Sequence, residues 1–287
     1  MANEVVKASA KAPATQQKLG FVGFMTSTAI TNKVNQIIGD EKSGKRFISS
    51  IISAVNTNPT LKECENQSIL SGALLGESLN LSPSPQLGMY YLVPFNDKDR
   101  GKVATFQLGY KGYIQLAIRS GQYKKLNVIA IKDGELIKYD PLEEEIKVNL
   151  IEDEELREKT PTVGYYAMFE YVNGFKKSMY WSKEKMEAHA LKYSQGYRAD
   201  KQKKTAYTFW SKDFDGMAYK TLLRQLISKW GIMCVDMQQA YESDMAYIKE
   251  DGSKVYVDND NTETSNVVLD AEVEEKEEKK LSLDDIE

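Results

Sequence analysis

"VGYYAMFEYVNGFKKSMYWS", residues 163–182, decides the reading of the fold. Two runs rich in Tyr, Phe, Trp and Val flank Asn173-Gly174, a dipeptide that tolerates positive φ and so favours a tight chain reversal. The stretch predicts an antiparallel hairpin closed by a type I′ turn. Towards the N-terminus lie further strand-like runs, MYYLVPF (89–95), VATFQL (103–108), NVIAI (127–131) and, after an Asp-Gly turn, ELIKY (135–139). Ahead of these, helical patterns run from about Gly44 to Val55 and from about Leu61 to Leu79, the second breaking at LSPSP. After the hairpin, helices resume at about Lys183. In the last long one, Leu222, Leu223, Leu226, Ile227 and Trp230 share an arc, Asp213 and Asp215 suit the positive helix start, and Gly231 suits its end. The fold class is α+β.

The 287 residues are 41% hydrophobic, enough for a sizeable core. No apolar run approaches the ~20 residues that span a bilayer, and the N-terminus lacks a secretory apolar centre, so a cytoplasmic location and no membrane partner are expected. Cys64 and Cys234 suit no disulfide framework and are expected to be small buried side chains. The net charge of -4 hides a division: residues 251–287 hold 13 acids against 4 bases, leaving residues 1–250 with 34 bases against 29 acids. Three parts are therefore expected: a flexible arm at 1–30, whose Phe21, Val22, Phe24 and Met25 dock on something such as a neighbouring subunit, a basic core domain at 31–250, and an acidic disordered tail at 251–287. Within the core, residues 143–159 carry 8 acids against 3 bases and read as an exposed insertion facing away from any polyanion.

Three basic stretches remain. Val103 to Ile131 contains no acid; in its helical part Tyr110, Tyr113, Ile114, Ala117 and Ile118 form an apolar stripe, while Lys111, Gln115 and Arg119 recur every four residues opposite, before Lys124 and Lys125 open a strand. The long helix repeats the pattern with Lys220 and Arg224, on an edge that no local acid interrupts. The third stretch, YSQGYRADKQKKTAYTFWSKDF (193–214), interleaves Arg198, Lys201, Lys203, Lys204 and Lys212 with Tyr197, Phe209, Trp210 and other rings. Cations that follow phosphates and rings that accept base faces are the ingredients of a single-strand groove. Phe209 and Trp210 are adjacent, so at most one faces inward.

"LGYKGYIQLAIRSGQY" (108–123) and "DFDGMAYKTLLRQLISKWGI" (213–232) resemble the two signature segments of the RecT family of phage and prophage single-strand annealing proteins, with similarity from roughly Leu81 to Gln239. The resemblance implies a curved antiparallel sheet with its hairpin packed on a long helix, flanked by N-terminal helices. It also implies ATP-independent annealing of complementary DNA, with single strands and the annealed duplex intermediate as ligands. Oligomeric rings or filaments, a phage exonuclease and the host single-strand-binding protein are the implied partners, and no cofactor is implied. It carries Lys111, Arg119, Lys220 and Arg224 over as DNA contacts; Lys124, Lys125, Lys203, Lys204 and Lys212 rest more on charge.

Other chemistry has weaker support. GDEKSGKR (39–46) meets the G-x-x-x-x-G-K part of a phosphate loop, but Arg46 replaces the magnesium-holding hydroxyl, and a turn between helices is the better account. His189 lies in a helix with no second ligand nearby. A metal-dependent nuclease using Asp213 and Asp215 is one alternative, and an RNA-binding or phage assembly protein is another.

Overall fold

The computed structural model describes residues 20–256. Four helices come first: α1 (Phe21–Met25), α2 (Thr28–Ile38), α3 (Glu41–Thr57) and, after a 3-10 turn, α4 (Asn66–Ser78). They are followed by β1 (Tyr90–Asp97), β2 (Gly101–Leu108), α5 (Tyr110–Arg119), β3 (Tyr123–Lys132), β4 (Leu136–Asp140), β5 (Glu145–Val148) and α6 (Glu154–Lys159). The hairpin β6 (Thr162–Tyr171) and β7 (Lys176–Ser182) leads into α7 (Lys183–Tyr193), α8 (Gln195–Lys203), α9 (Phe209–Lys212), α10 (Phe214–Trp230) and α11 (Val235–Ser243). The last described strands are β8 (Ala246–Ile248) and β9 (Lys254–Tyr256).

The strands form three antiparallel sheets, ordered β1-β2-β8-β9, β3-β6-β7 and β4-β5. In β6, Tyr165, Ala167, Phe169 and Tyr171 alternate onto the buried face, as a half-buried strand requires. That face meets α10, whose Leu222, Leu223, Leu226 and Ile227 are buried. Each large side chain removed from water there contributes roughly 1.5–3 kcal/mol, which is what pins the hairpin to the helix. Trp230, expected on the same stripe, is instead exposed at the helix end. Helix α4 covers the other large sheet, and α5 packs between the two halves against α10, α11 and β3. Its buried stripe is Tyr113, Leu116 and Ala117, with Ile118 turned to solvent.

The reversal at Asn173-Gly174 differs from the expected type I′ turn. Only Gly174 has positive φ (88°). Its N–H donates to the Tyr171 carbonyl, and Tyr171 N–H donates to Phe175, making a three-residue loop in which Gly174 takes the left-handed position. The Asn173 side chain accepts from Phe175 N–H, a local bond that needs no positive φ at Asn173.

Two expected boundaries also shift. Residues 20–30 are folded: Phe21 and Met25 are buried in this chain's own core, where α1 meets α3. At the other end β9 continues past residue 250, pairing with β8. The remainder of the expected arm and tail lies outside the described residues. The acidic insertion is tied to the body: Glu135, fully buried, accepts from Arg157 Nε at 2.6 Å, and Glu144 pairs with Lys177.

Candidate nucleic-acid interface

Helix α5 is placed by close backbone approach. A Cβ on Gly112 would lie 2.2 Å from the Met89 carbonyl oxygen, so only glycine lets the helix sit this near the start of β1. The consequence is an exposed Lys111 beside the 88–91 segment, with its ammonium 6.0 Å from the Tyr110 ring centroid. Eight residues on, Arg119 is exposed and donates to the Leu79 carbonyl at 2.8 Å. At 1.5 Å per residue these two cations stand roughly 12 Å apart along the axis, three to four phosphates at the ~3.4 Å spacing of a stacked strand.

The stretch 193–214 arrives at the same corner. Phe209 lies 5.2 Å from Tyr91, ring to ring, and burial together with Asp213 and Tyr110 pushes the Tyr91 hydroxyl pKa up. Phe209 is 37% exposed while its neighbour Trp210 is 8% exposed, so one of the adjacent rings faces in and the other out, as expected. The loop is shaped by Asp200, a buried carboxylate that accepts from the Thr205, Thr208 and Ser211 hydroxyls and from Thr208 N–H. Burial works against its charge, but these donors win and hold its carboxyl well below the usual carboxylate range. Around this anchor Lys203, Lys204, Lys212 and Tyr207 are exposed, Lys204 in the left-handed conformation (φ 55°). Lys201 pairs with Glu187 at 2.7 Å, and Arg198 donates to the Leu191 and Lys192 carbonyls, capping α7.

Three expected contact residues are not at the surface. Tyr197 and Trp210 are buried, packed on Phe214 and 6.0 Å from each other; they are core, because their rings fill the seam between α8, α9 and α10. Lys220 is 6% exposed and reaches Asp244 Oδ1 at 2.9 Å. Arg224 takes Asp244 Oδ2 at 2.8 Å and lies 4.5 Å over the Tyr241 ring. Asp244 also accepts from Leu108 N–H, joining α10 to the end of β2. The acid-free edge read from the helix alone is thus answered by an acid 20 to 24 residues downstream. Neither periodicity nor spacing signals that pairing.

Lys124 and Lys125 are exposed and share Glu170, opposite them on β6, at 2.5 and 3.7 Å. Asp213 caps α10 through Gly216 N–H, and Asp215 accepts from Tyr165 at 2.5 Å. Among the described residues, no three His, Cys, Asp or Glu side chains gather as metal ligands. Gly39 (φ 82°) ends α2, and Asp40 caps α3 by accepting from Lys42 and Ser43, so the apparent phosphate loop is a helix-to-helix turn. Cys64 is buried and Cys234 only partly so. No helix among the described residues is long and apolar enough to cross a membrane.

The model of the RecT family matches residues 45–278. A protein of Bacillus subtilis (strain 168), "Uncharacterized protein YqaK", is 37% identical over 276 residues, covering 96% of this chain and 88% of that protein. "Protein RecT" of Escherichia coli (strain K12) is 24% identical over 237 residues, covering 82% and 83% respectively.

Proposed function

Because this chain belongs to the RecT family, the single-strand DNA annealing proteins, we propose that it pairs complementary strands without ATP, with a single strand laid along the α5 edge and the α8–α9 loop. The observation that carries this reading is the convergence of Lys111, Tyr91 and Phe209 at one exposed corner, where two sequence-distant basic stretches meet. Helix α5 starts there on Gly109 without a side-chain cap and with no acid in its first turn, which suits an anion. Arg119, Lys124, Lys125, Lys203, Lys204 and Lys212 continue the cationic surface. Arg198, Lys201, Lys220 and Arg224 shape the framework that presents it.

Nothing in this process makes or breaks a covalent bond. Stacking releases on average about 1.4 kcal/mol per base-pair step, so ten steps supply on the order of 14 kcal/mol, and the protein needs only to extend one strand and hold the nascent duplex. Copies aligned in a ring or filament multiply a few weak contacts along a continuous polyanion. A phage exonuclease that produces single strands and the host single-strand-binding protein complete the proposed setting.

The test mixes complementary labelled oligonucleotides with and without the protein, in the absence of ATP. Accelerated pairing that Lys111→Ala slows is expected. Unchanged pairing rates, magnesium-dependent cleavage of the label, or preference for RNA would overturn the reading.

A further inference from the structure

Beyond the corner at α5, one face of α7 carries a row of rings and lysines. Trp181, at the end of β7, lies 5.2 Å from His189, and His189 lies 4.5 Å from Tyr193, ring centroid to ring centroid. Each end of the row is covered by an ammonium: Lys185 sits 4.8 Å over Trp181 and Lys192 sits 5.1 Å over Tyr193. The spacing follows from the helix, since residues 185, 189 and 192–193 recur at i, i+4 and i+7/8 on one face. Of the two acids of α7, Glu187 is held by Lys201 and Tyr197 on the α8 side, and Glu184 bonds back to Ser182 at the helix start. Tyr193 is 56% exposed, while Trp181 and His189 are half-buried, Trp181 resting against the core, so the row opens to solvent at its Tyr193 end.

We infer that Trp181, His189 and Tyr193 form a nucleobase-stacking platform for single-stranded DNA, with Lys185 and Lys192 as its phosphate contacts. The inference rests on the DNA-annealing reading and adds a second track to it. A base face stacked on an aromatic ring is worth more than an exposed cation–π contact, so an arriving base displaces the lysine from the ring. The displaced ammonium is then within a few ångströms of the strand's own phosphates. His189 suits such a row because its burial, reinforced by Lys192 and Arg224, pushes its pKa down to about 4, leaving a neutral flat ring at physiological pH. Arg198, by bonding the last carbonyls of α7, fixes the helix end that presents Tyr193.

The experiment compares the full-length chain with its Tyr193→Leu and Tyr193→Phe variants, binding an oligothymidylate and an abasic strand of equal length. Tyr193→Leu should weaken oligothymidylate binding about 5- to 20-fold and leave abasic binding unchanged, while Tyr193→Phe binds both as the unaltered chain does. Equal affinity of Tyr193→Leu and the unaltered chain for oligothymidylate, or an equal loss on both strands, overturns the platform. Independently, a photoreactive thymidine analogue in the strand should cross-link to the peptide containing residues 181–193; cross-links confined to other peptides overturn it. If the unaltered chain binds and anneals DNA while these results fail, only the platform falls. If it binds neither strand, the annealing reading falls with it.

Discussion

Helices α5 and α10 are written in the same grammar, a packed apolar stripe with cations recurring on another edge, yet their cations meet opposite fates. On α5, Lys111 and Arg119 remain at the surface. On α10, Lys220 and Arg224 are drawn onto Asp244, which is itself buried and tied to the β2 backbone. Removing a charge from water costs several kcal/mol unless a partner and hydrogen bonds compensate, and Asp244 supplies both. A row of cations therefore says nothing about its ligand until the acids brought near it by the fold are known.

The sharpest way to break this contrast is Asp244→Ala, which leaves Lys220 and Arg224 without their shared carboxylate. A loss of about 3–5 kcal/mol in urea unfolding is expected. Unchanged stability together with tighter DNA binding would mean that the α10 cations are contacts held in reserve, and the contrast would collapse. Less severe is the Lys111→Ala, Arg119→Ala pair. Stability should move by no more than about 1 kcal/mol, the scale of the Arg119 to Leu79 bond, while affinity for a single strand drops and the slope of log K against log salt shrinks by about 0.7 per lost phosphate contact. A fluorescence-anisotropy salt titration measures it.

The most gradual effect concerns His189, on which Arg224 also bears. Its folded pKa is lowered, so between the unfolded value of about 6.5 and the folded value of about 4 the unfolded chain takes up the proton first. Stability should therefore fall as pH drops through that window, by at most about 1.4 kcal/mol per pH unit, and His189→Gln should flatten the slope in thermal melts.

Much of this architecture was legible from local pattern. The hairpin, the long helix with its buried leucines and Ile227, the Asp213 cap and the split roles of Phe209 and Trp210 all follow from the spacing of a few neighbouring residues. Turn geometry was harder, because Asn-Gly serves both a two-residue reversal and the three-residue loop found here, and the side-chain bond from Phe175 to Asn173 has no signature in composition. That Phe21 and Met25 dock was legible from their apolar spacing, but that they dock on α3 of the same chain, and that the α7 ring row joins Trp181 of β7 to a helix face, depend on contacts between elements that no local pattern shows.

By itself the sequence determined which segments form helices and strands, which faces carry apolar stripes, and where positive charge and rings accumulate, because periodicity acts over three or four residues. Only the tertiary structure decided which of those cations stay in water. Burial of a charge is a property of its whole surroundings, and for Lys220 and Arg224 the decisive neighbour, Asp244, lies beyond a loop and a further helix, at a distance along the chain that no local pattern spans.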